Sequence, residues 1–176
     1  MALSPAPVVL YGKCLEDLIT GYHRRFFMII EKMTEEHFCE VLKMMRVFYD
    51  SPAVLHTSSD EVLKNDIEAC IGDCPYLDGY VFVEGGVIAG YSMVSKSFTT
   101  EYGGICAWIE DLYIREEFRR QGIAKKFFEA LPGLYPDIVR FKLEVEPENE
   151  RAIETYKNCG YSLLHYDIME KVMIDD

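Results

Sequence analysis

A short basic turn, Arg119–Arg120–Gln121–Gly122–Ile123–Ala124, separates two strongly apolar patterns in this chain. Before it, residues 107–114 read as a buried strand, and after it residues 125–131 read as a helix. Gly133 and Pro136 then break the chain, and residues 139–145 read as another strand. Strand, turn, helix and strand in that order form a crossover, which lays two strands parallel in one sheet. The turn itself exposes unpaired backbone N–H groups at the positive end of a helix, where an anion such as phosphate is held. Arg119 and Arg120 add bidentate phosphate donors beside it.

The remainder of the chain narrows the partners. At 176 residues, 49% hydrophobic and 27% charged, it is long enough for one domain with its own core. No apolar run reaches membrane-spanning length. Of six cysteines, only Cys70 and Cys74 lie close together, and that spacing within an apolar helical stripe fits packing. A zinc site needs two further ligands at motif spacing, and none is evident. Free thiols in a reducing compartment, and hence a cytoplasmic address, are the expectation. The net charge is −12, with 14 acidic against 5 basic side chains between Glu31 and Glu110. A nucleic acid partner is therefore not expected, since a polyanion needs a broad basic face. An acidic half beside a small basic cradle suits a cationic substrate and an anionic cofactor, although acids also serve solubility alone.

Residues 1–25 lack clear periodicity, apart from a short helix pattern over 15–22, and read as an extension before a single domain over 26–176. Residues 26–31 read as a first strand. Thr34 is placed to cap a helix bearing Phe38, Val41, Leu42 and Met45 on one stripe. Ser58-x-x-Glu61 reads as a capping box opening a second helix. Residues 80–83 and 87–94 flank Gly85-Gly86 as a hairpin. A helix over 149–158 closed by Gly160, then final strands over 161–173, complete the pattern. Antiparallel strands followed by a strand–helix–strand crossover indicate an α/β fold with a mixed sheet.

The second informative stretch is Asn149-Glu-Arg-Ala152-Ile-Glu-Thr-Tyr156, followed by Gly160-Tyr161. Together with Arg-x-x-Gly-x-Ala it resembles the two signature motifs of the GNAT family of acetyltransferases, and in the motif region the spermidine/spermine (diamine) acetyltransferases. The resemblance implies the GNAT fold, a mostly antiparallel sheet with a splayed parallel strand pair, and acetyl-CoA as acyl donor without a metal. It places pyrophosphate on Arg119, Arg120, Gln121, Gly122, Ile123, Ala124 and Lys125. Pantetheine follows the main chain of Leu112, Tyr113 and Ile114, with Asn149 bordering the cofactor. The Tyr156 hydroxyl is directed at the thioester sulfur. A phenol of pKa near ~10 is protonated at neutral pH and can donate to a departing thiolate. Each residue also has an ordinary role: Asn149 as a helix N-cap, Gly160 as a C-cap and Tyr156 as core packing.

Glu110 and Asp111 interrupt the apolar strand 108–114, and as neighbours they are expected on opposite faces. Unpaired burial of either is costly, so each should meet a cation, a donor or water. Glu110 is the candidate to deprotonate an ammonium acceptor, directly or through water, and Asp111 to bind the cationic substrate. Tyr49, Phe98, Tyr102 and His165 are further candidates for the acceptor pocket. The expected acceptor is a small amine such as a polyamine or aminoglycoside. A protein amine, or a non-catalytic acyl-CoA-binding module, remain alternatives. Neither nucleic acid nor membrane is expected as a partner, and analogy with the family adds a homodimer.

Overall fold

A computed structural model describes residues 9–11 and 28–173, and the helix pattern over 15–22 lies outside them. Among the described residues six strands form one sheet in chain order. They are β1 (Val9–Tyr11), β2 (Met28–Lys32), β3 (Leu77–Glu84), β4 (Val87–Thr99), β5 (Gly104–Ile114) and β6 (Ile138–Leu143). Neighbours are antiparallel from β1 to β5, and β5–β6 is parallel, as the crossover requires. β1 arises within the segment whose sequence shows no periodicity, and pairs Val9 with Ile30. The β3–β4 turn is made by Gly85 and Gly86 at φ 60 and 83, the left-handed pair that matches the twist of a two-residue hairpin.

Helices α1 (Phe38–Tyr49) and α2 (Asp60–Ile71) cover one face, while α3 (Ile123–Leu134) and α4 (Glu150–Asn158) cover the other. The sheet divides the core accordingly. Val41, Met45, Ile67, Tyr91 and Met93 pack on the α1/α2 side, and Phe82, Val94, Ile109, Phe127 and Leu131 on the α3 side. Burial of these side chains is the principal stabilising term.

Several local expectations shift. The cap of α2 is Ser59, whose Oγ accepts from the Val62 N–H at 3.3 Å. The residue three beyond the cap is then Val62, so no reciprocal Glu61 contact closes a box. Because α2 ends at Ile71, Cys74 lies past it and only Cys70 belongs to its buried stripe. The five described cysteines are free. Helix α3 does not stop before Pro132: it starts at Ile123 and continues to Leu134, with the Tyr135 N–H reaching the Leu131 carbonyl at 2.9 Å. Proline is tolerated there because it removes a single hydrogen bond in an exposed last turn. Residues 161–173 contain no strand, contrary to the expectation of final strands there.

Gly90 fixes how closely β4 approaches the end of β5. A Cβ built at this position would sit 2.3 Å from the Tyr113 carbonyl oxygen and 3.1 Å from the Ile114 Cα. Gly90→Ala must therefore push the backbone of 113–114 outward. We expect a loss of about 1–3 kcal/mol in urea-unfolding stability, whereas alanine at the open surface position Gly133 should cost far less.

Candidate active site

The pairing of β4 with β5 slips by one residue at the middle of both strands. Met93 faces Asp111 while Val94 faces Ile109, leaving Glu110 as the extra residue of a β-bulge. Ala107 and Ile109 lie on the α3 face before the bulge, and Leu112 and Ile114 lie on it afterwards. Glu110 and Asp111 thus share the α1/α2 face instead of opposing each other. The Ser95 hydroxyl donates to Glu110 Oε1. On Asp111, Oδ1 accepts from the Tyr49 hydroxyl (3.1 Å) and Oδ2 from the Tyr91 hydroxyl (2.9 Å). The Ser92 hydroxyl donates to the Asp111 carbonyl at 2.7 Å, fixing the bulge itself.

The two carboxylates differ in access. Glu110 is exposed, whereas Asp111 is 3% exposed with both oxygens occupied. Burial pushes the Asp111 carboxyl up to about 6, against the two tyrosine donors that pull it down, and Asp66 and Glu110 add to the rise. Burial likewise raises Tyr49 and Tyr91, reinforced by the charge of Asp111, so both remain protonated donors. Tyr91, Ser92 and Ser95 had no signature in the sequence; Tyr49 was anticipated near the acceptor pocket and instead anchors Asp111.

On its other edge β5 parts from β6. The parallel pairing runs from Ile105↔Ile138 to Ile109↔Leu143 and then ends, while β5 continues through Glu110–Ile114. Beyond Ile109, β5 has no strand partner on its β6 side. Strand pairing stops where the bulge begins, so the bulge and the splay coincide.

β5 leads directly into the basic turn. A 3-10 turn over Glu116–Phe118 is followed by Arg120 at φ 65, the sole non-glycine residue with positive φ among those described, and by Gly122 at φ 77. Gly122 is the N-cap of α3, and no side chain caps this helix. The first helical bond is from the Lys126 N–H to the Gly122 carbonyl at 3.0 Å, which leaves the N–H groups of Ile123, Ala124 and Lys125 without helical acceptors. The first turn of α3 has no acidic residue. Arg119 Nε donates to the Ile114 carbonyl (3.0 Å), and the Gln121 amide to the Glu117 carbonyl (3.1 Å), so both side chains brace the loop. Arg120 is exposed. Uncapped donors, a positive dipole end and adjacent arginines make this turn chemically fit for a diphosphate.

α4 brings Tyr156 to the same region from the α3 face. Asn149 caps the helix, its Oδ1 accepting from the Ala152 N–H at 3.2 Å. Gly160 at φ 89 ends it, with the Tyr161 N–H on the Tyr156 carbonyl and the Gly160 N–H on the Lys157 carbonyl, both 3.0 Å. Tyr156 packs edge-on to Phe128 (5.5 Å between centroids) and joins Leu112, Ile114, Ala124 and Leu143 around one apolar cluster. Burial, and to a lesser degree Cys159, raises its phenol above the usual range. The other acceptor candidates are not gathered here. Phe98 and Tyr102 are exposed near the β4–β5 turn, and His165 is exposed beyond α4.

Comparisons agree with this arrangement. Residues 38–161 match the Acetyltransferase (GNAT) family. A thialysine N-epsilon-acetyltransferase of Caenorhabditis elegans is 29% identical over 138 residues, covering 75% of this chain and 81% of that protein. One from Bos taurus is 25% identical over 146 residues, covering 76% and 84%. Among solved structures, a possible acetyltransferase from Clostridium difficile 630 superposes with TM-score 0.73 at 20% identity, covering 84% of this chain and 99% of the other. An aminoglycoside N-acetyltransferase in complex with CoA superposes at 0.72 and 16% identity, covering 87% and 99%. At these identities the structural likenesses establish the fold. The uncapped basic turn, the splayed strand and the family match over 38–161 make this chain an N-acetyltransferase of the GNAT family.

Proposed function

We propose that the chain acetylates a primary amine of a small cationic acceptor, with acetyl-CoA as donor and by direct transfer in a ternary complex. The observation that carries this reading is the continuity of β5 past its last pair with β6 into an uncapped helix N-terminus. One open edge thus links an anion site to Glu110 and Tyr156. The backbone amides of Gln121, Gly122, Ile123, Ala124 and Lys125, with the arginines 119 and 120, hold the diphosphate. The main chain of Leu112, Tyr113 and Ile114 aligns the pantetheine arm, and Asn149 shapes the border by setting the start of α4. Acetyl-CoA supplies the acetyl group as an activated thioester.

Glu110 takes the proton from the acceptor ammonium, freeing the nitrogen lone pair. Tyr156, with its phenol raised by burial, holds its proton through neutral pH and delivers it to the departing thiolate. Asp111 serves a cationic acceptor through its buried charge, because both of its oxygens are already engaged by tyrosines. The relatives named for thialysine and aminoglycoside acetylation act on small amines, which favours the same acceptor class here. Among the described residues no helix is long and apolar enough to cross a membrane. We place the enzyme in the cytoplasm, as a homodimer, with residues 26–176 as its catalytic domain.

Free-thiol release measured against thialysine, polyamines, aminoglycosides and a lysine peptide tests the acceptor class. A small amine should be turned over at least tenfold more efficiently than the peptide (about 1.4 kcal/mol in the transition state). Preference for the peptide would overturn the assignment. Tyr156→Phe should lower kcat by about 10²-fold while coenzyme A affinity in calorimetry stays close to wild type.

Asp111 makes a signed prediction about pH. Its folded pKa, about 6, lies above its ordinary 3.8, so between these values the folded state binds more protons than the unfolded state. Stability contributed by this group is therefore highest below about 4 and is lost as pH rises toward 6. Asp111→Asn should remove that segment of the profile. The difference in urea stability between variant and wild type should move in the variant's favour by roughly 2–3 kcal/mol from pH 4 to 6.5. A flat difference would show that Asp111 does not titrate in this window.

A further inference from the structure

We propose that Lys142 of β6, held over the Trp108 ring beside Glu110, binds a carboxylate on the acceptor and so selects a basic amino acid over a plain diamine. This inference rests on the acceptor class and the base proposed above, and narrows the acceptor to one kind of molecule.

Phe141 and Leu143 pack into the α3-side core, so their strand neighbours Arg140 and Lys142 project to the α1/α2 face. On β5, Ala107 and Ile109 likewise face α3, which turns Trp108 to the same side as Glu110. Lys142 pairs with Trp108 in the β5–β6 ladder, and Trp108 pairs with Ser95 in the β4–β5 ladder. The Ser95 hydroxyl in turn donates to Glu110. These side chains form a row across the three strands, with Glu110 one step further along β5. The parallel ladder ends at the next pair, Ile109↔Leu143, so the row is the lip of the opening between β5 and β6.

Lys142 differs from the cations around it. Arg140 is held by Glu101 at 2.5 Å, and Arg115, at the far end of β5, by Glu40 at 2.6 Å. The Lys142 ammonium stands 4.7 Å from the Trp108 ring centroid and has no carboxylate partner among the described residues. An aromatic face attracts a cation through its quadrupole and leaves ammonium donors free for an anion. Lys142 and Trp108 are both half-buried, so this charge is fixed in place without being neutralised.

Charge therefore changes sign along this face, from Glu110 and buried Asp111 at one end to Lys142 at the other. Two residues along a strand cover roughly 6.6 Å, a gap that the extended side chain of a basic amino acid spans. Such a molecule meets complementary charge with both its side-chain ammonium and its carboxylate. A diamine would bring a second ammonium to Lys142 and be repelled. In the reaction the side-chain ammonium gives its proton to Glu110, and its nitrogen bonds the acetyl carbon. The carbon–sulfur bond of acetyl-CoA breaks, and Tyr156 protonates the thiolate.

Free-thiol release with lysine and with cadaverine, which is lysine without its carboxylate, tests the inference. Wild type should favour lysine at least ~10-fold in kcat/KM, and mass spectrometry should find the acetyl group on the side-chain nitrogen. Lys142→Met should invert that preference, slowing lysine at least ~10-fold and speeding cadaverine, whereas Lys142→Arg should retain it. A wild type that prefers cadaverine would overturn the carboxylate site and leave small-amine acetylation standing. Equal loss on both acceptors in Lys142→Met, or no loss on either, would show that Lys142 only packs on Trp108, and would overturn it too. Turnover of neither acceptor is a third contrary result; if polyamines and aminoglycosides also fail, the small-amine reading falls with it.

Discussion

The inserted residue at the centre of β5 governs the rest of the site. Strand side chains alternate, so two adjacent carboxylates can share a face only if one residue is left out of the ladder. The slip at Met93/Val94 does this, and it carries Glu110 and Asp111 together to the α1/α2 face. Asp111 then pays for burial with two tyrosine hydroxyls, one from α1 and one from β4. Removal of either donor would leave part of an ionised group unsatisfied. The hydrogen bonds therefore lock helix, strand and bulge into one unit, and Glu110 inherits a fixed position at its solvent side. The same local twist coincides with the end of pairing between β5 and β6.

Backbone conformation, more than side-chain charge, shapes the turn that follows. Arg120 occupies the left-handed region, which costs a non-glycine residue on the order of 1 kcal/mol. Gly122 adopts the same region without that penalty. The chain thereby enters α3 without a capping side chain, and its N-terminal donors point outward unpaired. Ordinary helix starts spend those donors on Ser, Thr, Asp or Asn, as α2 does with Ser59 and α4 with Asn149. α3 keeps them available. Arg119 and Gln121, expected to face a ligand, use side-chain donors on the carbonyls of Ile114 and Glu117 and so hold the loop open.

Much of this was legible from residue patterns, because local chemistry decided it. The hairpin at Gly85-Gly86, the crossover, and both ends of α4 follow from turn and cap residues acting over a few positions. The bulge was not anticipated: Glu110 and Asp111 were expected on opposite faces, and Trp108 and Tyr113 are apolar as well, so the sequence carries no visible phase. Only in the structure do the residues of the α3 face change phase, from 107 and 109 to 112 and 114, across the extra residue. The tyrosine partners of Asp111 were not accessible in this way: Tyr49 and Tyr91 lie 62 and 20 positions away, and only the tertiary fold brings them in. The final strands expected over 161–173 do not form. The capping residue of α2 differed by one: the pattern Ser58-x-x-Glu61 favoured Ser58, whereas the helix starts one residue later and is capped by Ser59.

The faces of the sheet also separate the two proton transfers of the proposed reaction. Tyr156 approaches from the α3 side, in the cluster with Leu112 and Ala124, whereas Glu110 stands on the α1/α2 side with Ser95. The splay between β5 and β6 is the opening that joins these faces. A donor lying along Leu112–Ile114 would have the base on one side and the acid on the other. The acceptor nitrogen can then lose its proton where it arrives, while the leaving sulfur gains one where it departs, and neither residue has to move between the two tasks. Charge follows the same division. Asp66 and Glu110 raise the carboxyl of Asp111 on the α1/α2 face, while Arg119 and Arg120 gather at the basic turn. In the proposed reaction each ligand would be drawn to its own side of the strand.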